Sequence, residues 1–103
     1  MSYGMESVYL RIVKSQETIL IAACDRTLLG KTFREGRLKL DVLPSFYQGV
    51  LSTIEETMRA LESASIGNLV GEMVVTAAIE RGFVSPEAVI RIGGVPHAQI
   101  VKA

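Results

Sequence analysis

One cysteine, Cys24, and one histidine, His97, are all that the 103 residues contain of either type. An intramolecular disulfide is therefore excluded, and a zinc site of thiolate and imidazole ligands lacks its donors. No metal and no cofactor is expected, and a reducing cytoplasm suits the lone thiol. Amide side chains are scarce as well: Asn68 is the sole asparagine and glutamine stands only at 16, 48 and 99, a composition that points to a hot-living source. Nowhere do about eighteen apolar residues follow one another, and Met1 to Ser7 has no basic segment leading into an apolar run. Neither a membrane partner nor export is expected. Net charge is also missing. Lys and Arg total 11 against 11 Asp and Glu, so no general attraction to DNA or to an anionic membrane follows from the total.

Apolar residues are plentiful, at 49% against 21% charged, and a chain of this length can bury about two-thirds of its unfolded surface in one core. Residues 7–103 are read as a single α+β domain and residues 1–6 as a disordered lead-in. Val8 to Lys14 alternates with the period of a strand, and Ser15-Gln16-Glu17 can turn it. Thr18 to Cys24 is apolar on both faces, so it should lie centrally in the sheet, paired antiparallel with the first strand. Asp25 to Arg37 loses periodicity and is punctuated by Gly30 and Gly36, which suggests an irregular excursion with a short extended piece near Leu28 and Leu29. Leu38, Leu40 and Val42 alternate with Lys39 and Asp41 as an edge strand, and Pro44 to Gly49 should plug aromatic rings against the core.

Ser52-Thr53-Ile54-Glu55 reads as a capping box with Ser52 as the cap, opening an amphipathic helix through Ile54, Met58 and Leu61. From Asn68 to Arg81 the polar side chains after the first fall at Glu72, Thr76 and Glu80, four apart, which predicts a buried helix with one thin wet stripe. Gly71 inside that helix is costly, by about 1 kcal/mol relative to alanine, so something should approach the backbone there. Val89 to Ile92 and Val95 to Val101 read as strands joined by a primed turn at Gly93-Gly94, with Pro96 placing the start of the last strand at an edge or bulge. The order β-β-β-α-α-β-β predicts a small mixed or antiparallel sheet of about five strands covered by two main helices.

No complete catalytic constellation is present. Gly30-Lys31-Thr32 looks like the end of a P-loop, but Asp25 stands where that loop needs its first glycine. Arg26, Lys31, Arg34, Arg37 and Lys39 share a short span whose one acid is Glu35, whereas the helical region is rich in glutamate. This segregation suggests a basic face for RNA phosphate or a ribosomal protein, or else a solvated loop whose arginines pair with the acidic helices of the same molecule. Phe33 alone supplies an aromatic ring there, so a base-stacking platform is absent. His97 beside Gly93-Gly94, with Gln99 and a helix-capping Asn68, is the rival site: a small-molecule or catalytic centre, or simply a histidine bonded to a carbonyl at a strand start. Cys24 reads as a buried small hydrophobe. A second copy of the chain could pair through an edge strand near Pro96 or Leu38.

Three segments, Leu29-Gly30-Lys31-Thr32-Phe33, Asn68-Leu69-Val70-Gly71-Glu72 and Ile92 through Gln99, resemble an uncharacterised archaeal family, the domain of unknown function 424. The likeness runs over nearly the whole chain from Val8. It implies a small archaeal cytoplasmic protein associated with translation or the ribosome, and it carries no catalytic residue or cofactor to this chain.

Overall fold

The computed structural model describes residues 5–102. Of the expected lead-in, residues 1–4 lie outside the described residues, while Met5 and Glu6 are exposed and precede the first strand. The elements are β1 (Val8–Lys14), β2 (Ile19–Asp25), β3 (Thr32–Glu35), β4 (Leu38–Asp41), α1 (Pro44–Tyr47), β5 (Val50–Ser52), α2 (Ile54–Leu61), β6 (Ile66–Val70), α3 (Glu72–Glu80), β7 (Ile90–Ile92) and β8 (Val95–Val101). Six strands form one sheet in the order β5-β1-β2-β6-β8-β7, and β3 and β4 form a separate two-stranded sheet. All neighbours in the large sheet run antiparallel except β2 and β6, which are parallel. The α+β class and the mixed sheet match the expectation, but the strands number more than five.

Alternation along the strands builds two apolar layers on the large sheet. One face carries Leu10, Ile21, Ala23, Leu69, Ala98 and Ile100 against Met58 and Leu61 of α2 and Val74, Val75 and Ala78 of α3. The opposite face carries Ala22, Cys24, Val70 and Ile92, covered by Leu40 and Val42 at the end of the β3–β4 hairpin and by Tyr47 of α1. Cover on both sides explains why β2 is apolar on both faces: Ile21 through Cys24 are at most 1% exposed.

Several expectations are corrected, each for a physical reason. The segment from Asn68 is not one helix. Ile66–Val70 is a strand wedged between β2 and β8, and the helix begins only at Glu72. Ladder pairing on both sides satisfies its backbone, which outweighs the helical reading of its short apolar pattern. Gly71 then turns the chain at φ +121°, so it forms the junction rather than a helical turn. Within α3 the wet stripe holds: Glu72, Thr76 and Glu80 are exposed and Val74 and Ala77 buried, although Met73 is 49% exposed at the first turn. Gly82, at φ +81°, follows the helix end as expected of a glycine terminator.

The stretch near Leu28 and Leu29 is not extended; a short 3-10 turn covers Arg26–Leu28, and the missed strand is β3. Its hairpin with β4 closes over Gly36 and Arg37, with Glu35 opposite Leu38. The capping box is shifted by one residue: Thr53 Oγ1 accepts from the Glu56 N–H at 3.0 Å and Glu56 Oε1 accepts from the Thr53 N–H at 2.8 Å. Ser52 belongs to β5, opposite Val8, and is buried. Finally, β8 is flanked by β6 and β7, so Pro96 is not on an edge. Proline is tolerated there because β6 ends at Val70 opposite His97 and Pro96 contributes a carbonyl, accepting from the Gly71 N–H at 2.9 Å. Pairing of two copies through Pro96 is closed off by this placement, while Leu38 remains 51% exposed.

Candidate functional site

The β3–β4 hairpin carries most of the basic stretch. Register pairs Thr32 with Asp41 and Arg34 with Lys39, so these four side chains share the outer face, while Phe33 and Leu40 turn inward to the apolar layer. Lys31, Arg34, Arg37 and Lys39 are all exposed. Among the described residues only Lys39 has an acidic side chain at ion-pair distance, Asp41 at 3.3 Å. The Thr32 hydroxyl also donates to Asp41 Oδ1 at 2.7 Å, and with Lys39 and the nearby charge of Arg34 it holds the Asp41 carboxyl below its usual range. Pairing of these cations with the acidic helices is not what the structure shows: the glutamates Glu55 and Glu72 are engaged by Arg81 and Arg91 instead. Arg26 stands apart from the hairpin strands. Its guanidinium donates to the Glu6 carbonyl at 3.5 Å, and it lines a cavity of about 300 Å³ with Met5, Asp25 and Met73.

The glycine bend touches this hairpin. Gly93 donates its N–H to Glu35 Oε1 at 2.8 Å, and a Cβ on Gly93 would lie 3.2 Å from the Arg34 carbonyl oxygen. Close backbone approach therefore comes from the molecule's own hairpin, with the Gly93 donor already used. Gly94, at φ +83°, completes the turn and offers its carbonyl to Arg91 at 3.1 Å. The basic strands and the bend are thus one continuous surface, an arrangement that no sequence spacing could reveal.

His97 and Asn68 also meet, as the rival reading requires, though by a different route. Asn68 lies on β6 opposite Gln99 on β8, and His97 stands two residues before Gln99, so all three share the face away from α2 and α3. His97 Nε2 stands 3.0 Å from Asn68 Oδ1, and the Tyr47 hydroxyl donates to the same oxygen at 2.5 Å. An amide oxygen only accepts, so Nε2 carries the proton and Nδ1 of the ring is left as an acceptor. Burial favours the neutral imidazole and lowers the His97 pKa, and burial raises that of the Tyr47 phenol. Burial thus favours the neutral ring, which an amide orients, and among the described residues no carboxylate is bonded to it. Gln99 is exposed beside this group. Tyr47 escaped the sequence reading except as an aromatic plug, since nothing local ties residue 47 to residue 68.

Asp25 is the other residue whose role was hidden. It ends β2, is 6% exposed, and accepts from the N–H groups of Met73 at 2.8 Å and Val74 at 3.0 Å. A carboxylate from a distant strand thus caps α3, whose own cap residue, Gly71, has no side chain. Burial raises the Asp25 pKa, with the two backbone donors opposing. The signal available beforehand was Gly71 itself: a Cβ there would fall 2.3 Å from Asp25 Cγ.

Comparison with known proteins agrees with this architecture. A model of the family described as "Protein of unknown function (DUF424)" matches residues 13–103. The crystal structure of an uncharacterized conserved protein from Methanopyrus kandleri superposes with a TM-score of 0.75 at 23% identity, over 93% of this chain and 94% of that one. At that identity the likeness concerns the fold. No curated protein matches the chain. Among the described residues no helix is long and apolar enough to cross a membrane.

Proposed function

The chain belongs to the DUF424 family, and from that premise we propose that it is a non-enzymatic binding module for structured RNA, acting in the archaeal cytoplasm in association with translation. Residues 7–103 act as one α+β unit in this reading, and the contact is made by the outer face of the β3–β4 hairpin. The observation that carries it is the exposure of Lys31, Arg34, Arg37 and Lys39 on one short hairpin, with a single ion-pair partner among the described residues. Cations left without acidic partners can exchange counterions with a phosphate backbone, and the inward-facing Phe33 leaves no ring for stacking. Recognition then reads backbone shape and not base sequence. His97 fits no chemical step here. Its ring is neutral and amide-bound, and neither the 300 Å³ cavity beside Asp25 nor the 390 Å³ cavity beside Gly49 is lined by it.

Filter binding of the parent protein to ribosomal subunits and to a folded RNA, across a salt series, tests this reading. Affinity should fall with added salt by a log-log slope of roughly −0.7 to −0.9 per phosphate contact. The variant carrying Lys31→Glu, Arg34→Glu and Arg37→Glu should lose binding while keeping its circular dichroism spectrum. A triple variant that binds like the parent would falsify the assignment.

One observation favours a second reading, a small-molecule site at His97. Asn68 Nδ2 and His97 Nδ1 have no protein partner among the described residues, yet no buried side-chain polar atom is left unbonded, so both reach solvent. A ligand with an acceptor beside a donor would fit that pair. Chemical-shift titration of the His97 ring with such compounds, against Asn68→Ala, decides it; unmoved ring signals exclude the site.

A further inference from the structure

The outer face of the β3–β4 hairpin is not uniformly basic. Register sets Arg34 opposite Lys39 and, two residues nearer the open end of the hairpin, Thr32 opposite Asp41. Alternation along a strand puts all four side chains on one side, so the face consists of two cross-strand rows about 6.5 Å apart. The first row carries two positive charges. The second carries a hydroxyl and a carboxylate.

Bonds within the second row decide what it can offer. Thr32 Oγ1 donates its one proton to Asp41 Oδ1 at 2.7 Å, and Lys39 Nζ stands 3.3 Å from Asp41 Oδ2. The Thr32 bond, Lys39 and the charge of Arg34 hold the Asp41 carboxyl below its usual range, so at neutral pH it is ionised and only accepts. A carboxylate has about four lone-pair positions and a hydroxyl two, and both groups keep some of them free here. Thr32 is exposed and the Asp41 side chain 35% so. Towards solvent this row therefore presents acceptors alone. The Arg34 guanidinium beside it is exposed and has no acidic side chain at ion-pair distance among the described residues.

Closing the hairpin does not call for the Asp41 charge. The Gly30 N–H donates to the Val42 carbonyl at 2.7 Å and the Val42 N–H to the Lys31 carbonyl at 2.9 Å, so backbone bonds continue past the Thr32–Asp41 pair. Phe33 and Leu40 pin the inner side of the hairpin to the apolar layer. A carboxylate on this face also repels phosphate, which a pair of hydroxyls across the strands would not. The row suits a group that donates.

Resting on the reading of this hairpin as an RNA contact, we propose that the Thr32–Asp41 row is a ribose subsite, accepting a hydrogen bond from a 2′-hydroxyl while Arg34 and Lys39 hold the neighbouring phosphate. The 2′-hydroxyl and the 3′-phosphate of a nucleotide hang on adjacent ribose carbons, so a strand that lays its phosphate on the first row brings its hydroxyl to the second. Within an RNA strand that hydroxyl is the donor of the sugar-phosphate backbone, and an A-form helix displays it across a wide, shallow groove. DNA carries only C–H there. Against DNA the Asp41 charge gains no hydrogen bond and keeps its repulsion for phosphate, so the row separates RNA from DNA without reading a base.

The test compares three nucleic-acid hairpins of one sequence, in RNA, in 2′-fluoro RNA and in DNA, by filter binding to the full chain at fixed salt. The 2′-fluoro form keeps the A-form helix and removes the donor, which separates the hydrogen bond from helix shape. RNA should bind about tenfold more tightly than either of the others, the size of one hydrogen bond to a charged group. Asp41→Ala, its fold checked by circular dichroism, should bring RNA and 2′-fluoro RNA within about threefold of each other and raise the affinity for DNA. Thr32→Val, which frees the carboxylate to swing, should give an intermediate preference, and Thr32→Ser should preserve that of the parent. Equal binding of RNA and 2′-fluoro RNA by the parent, or a preference that Asp41→Ala leaves unchanged, overturns the ribose subsite. If the variant carrying Lys31→Glu, Arg34→Glu and Arg37→Glu still loses binding in that case, the hairpin remains the RNA contact; a triple variant that binds like the parent removes both.

Discussion

Replacing Gly71 with alanine should unfold this protein far more readily than a surface glycine would, and the effect should depend on Asp25. Gly71 has φ +121° and ψ 153°, a region that residues with a side chain enter only at a cost of about 1–3 kcal/mol. The added Cβ would meet Asp25 Cγ at 2.3 Å and both carboxylate oxygens at 2.6 Å. Asp25 must then withdraw from the Met73 and Val74 amides, and each such bond to a carboxylate is worth about 1.5–3 kcal/mol. Strain and the loss of a cap worth about 2–4 kcal/mol as a whole together amount to about 3–7 kcal/mol, a large share of the stability of a small domain. Asp25→Ala alone should cost about 2–4 kcal/mol by removing the cap. In that background the clash is gone, so Gly71→Ala should cost only the backbone strain. Urea unfolding followed by circular dichroism on the four proteins of the cycle gives the coupling, expected at about 2–3 kcal/mol, with the double variant less damaged than the sum. Additivity within about 0.5 kcal/mol would refute the claim that Gly71 exists to admit the Asp25 carboxylate.

Stability should respond to pH in two windows of opposite sign. The folded His97 pKa is depressed, so its contribution is complete above the unfolded value of 6.5 and is lost as pH falls through the folded one. The folded Asp25 pKa is raised, so its contribution is complete below 3.8 and is lost as pH rises through the folded value. Urea midpoints of His97→Ala and Asp25→Asn across pH should each lack one of these slopes; a profile unchanged by either variant contradicts the assignment. Burial and the adjacent Asp25 charge push the Cys24 thiol up to about 12, so iodoacetamide should leave the native protein unmodified and label it in urea, as read by mass spectrometry. Thr53→Ala should cost about 1 kcal/mol through loss of the helix cap. Ser52→Ala should leave the α2 cap intact, which exchange rates of the first-turn amides can distinguish.

Local patterns identified the local structure. Alternation located β1 and β8, the double-faced apolar run placed β2 inside the sheet, and Gly93-Gly94 marked the turn whose residues lie at φ +59° and +83°. Charge segregation picked out the hairpin cations, although the strand that carries Arg34 was missed because Thr32 to Glu35 has one apolar residue and no period to detect. The capping box was visible but ambiguous between two registers, since Ser52 and Thr53 are both competent caps and Glu55 and Glu56 both competent partners.

By itself, then, the chain determined its class, the β1–β2 and β7–β8 hairpins, the amphipathic α2 and the wet stripe of α3, because each depends on residues a few positions apart. Only the tertiary structure decided that Asn68 sits in a strand, that Asp25 caps a helix 48 residues on, that Glu35 grips Gly93, and that Tyr47 and His97 share one amide oxygen. Those choices hang on contacts between segments 21 to 58 residues apart. Burial and ladder pairing, and not local propensity, set the energy of such contacts.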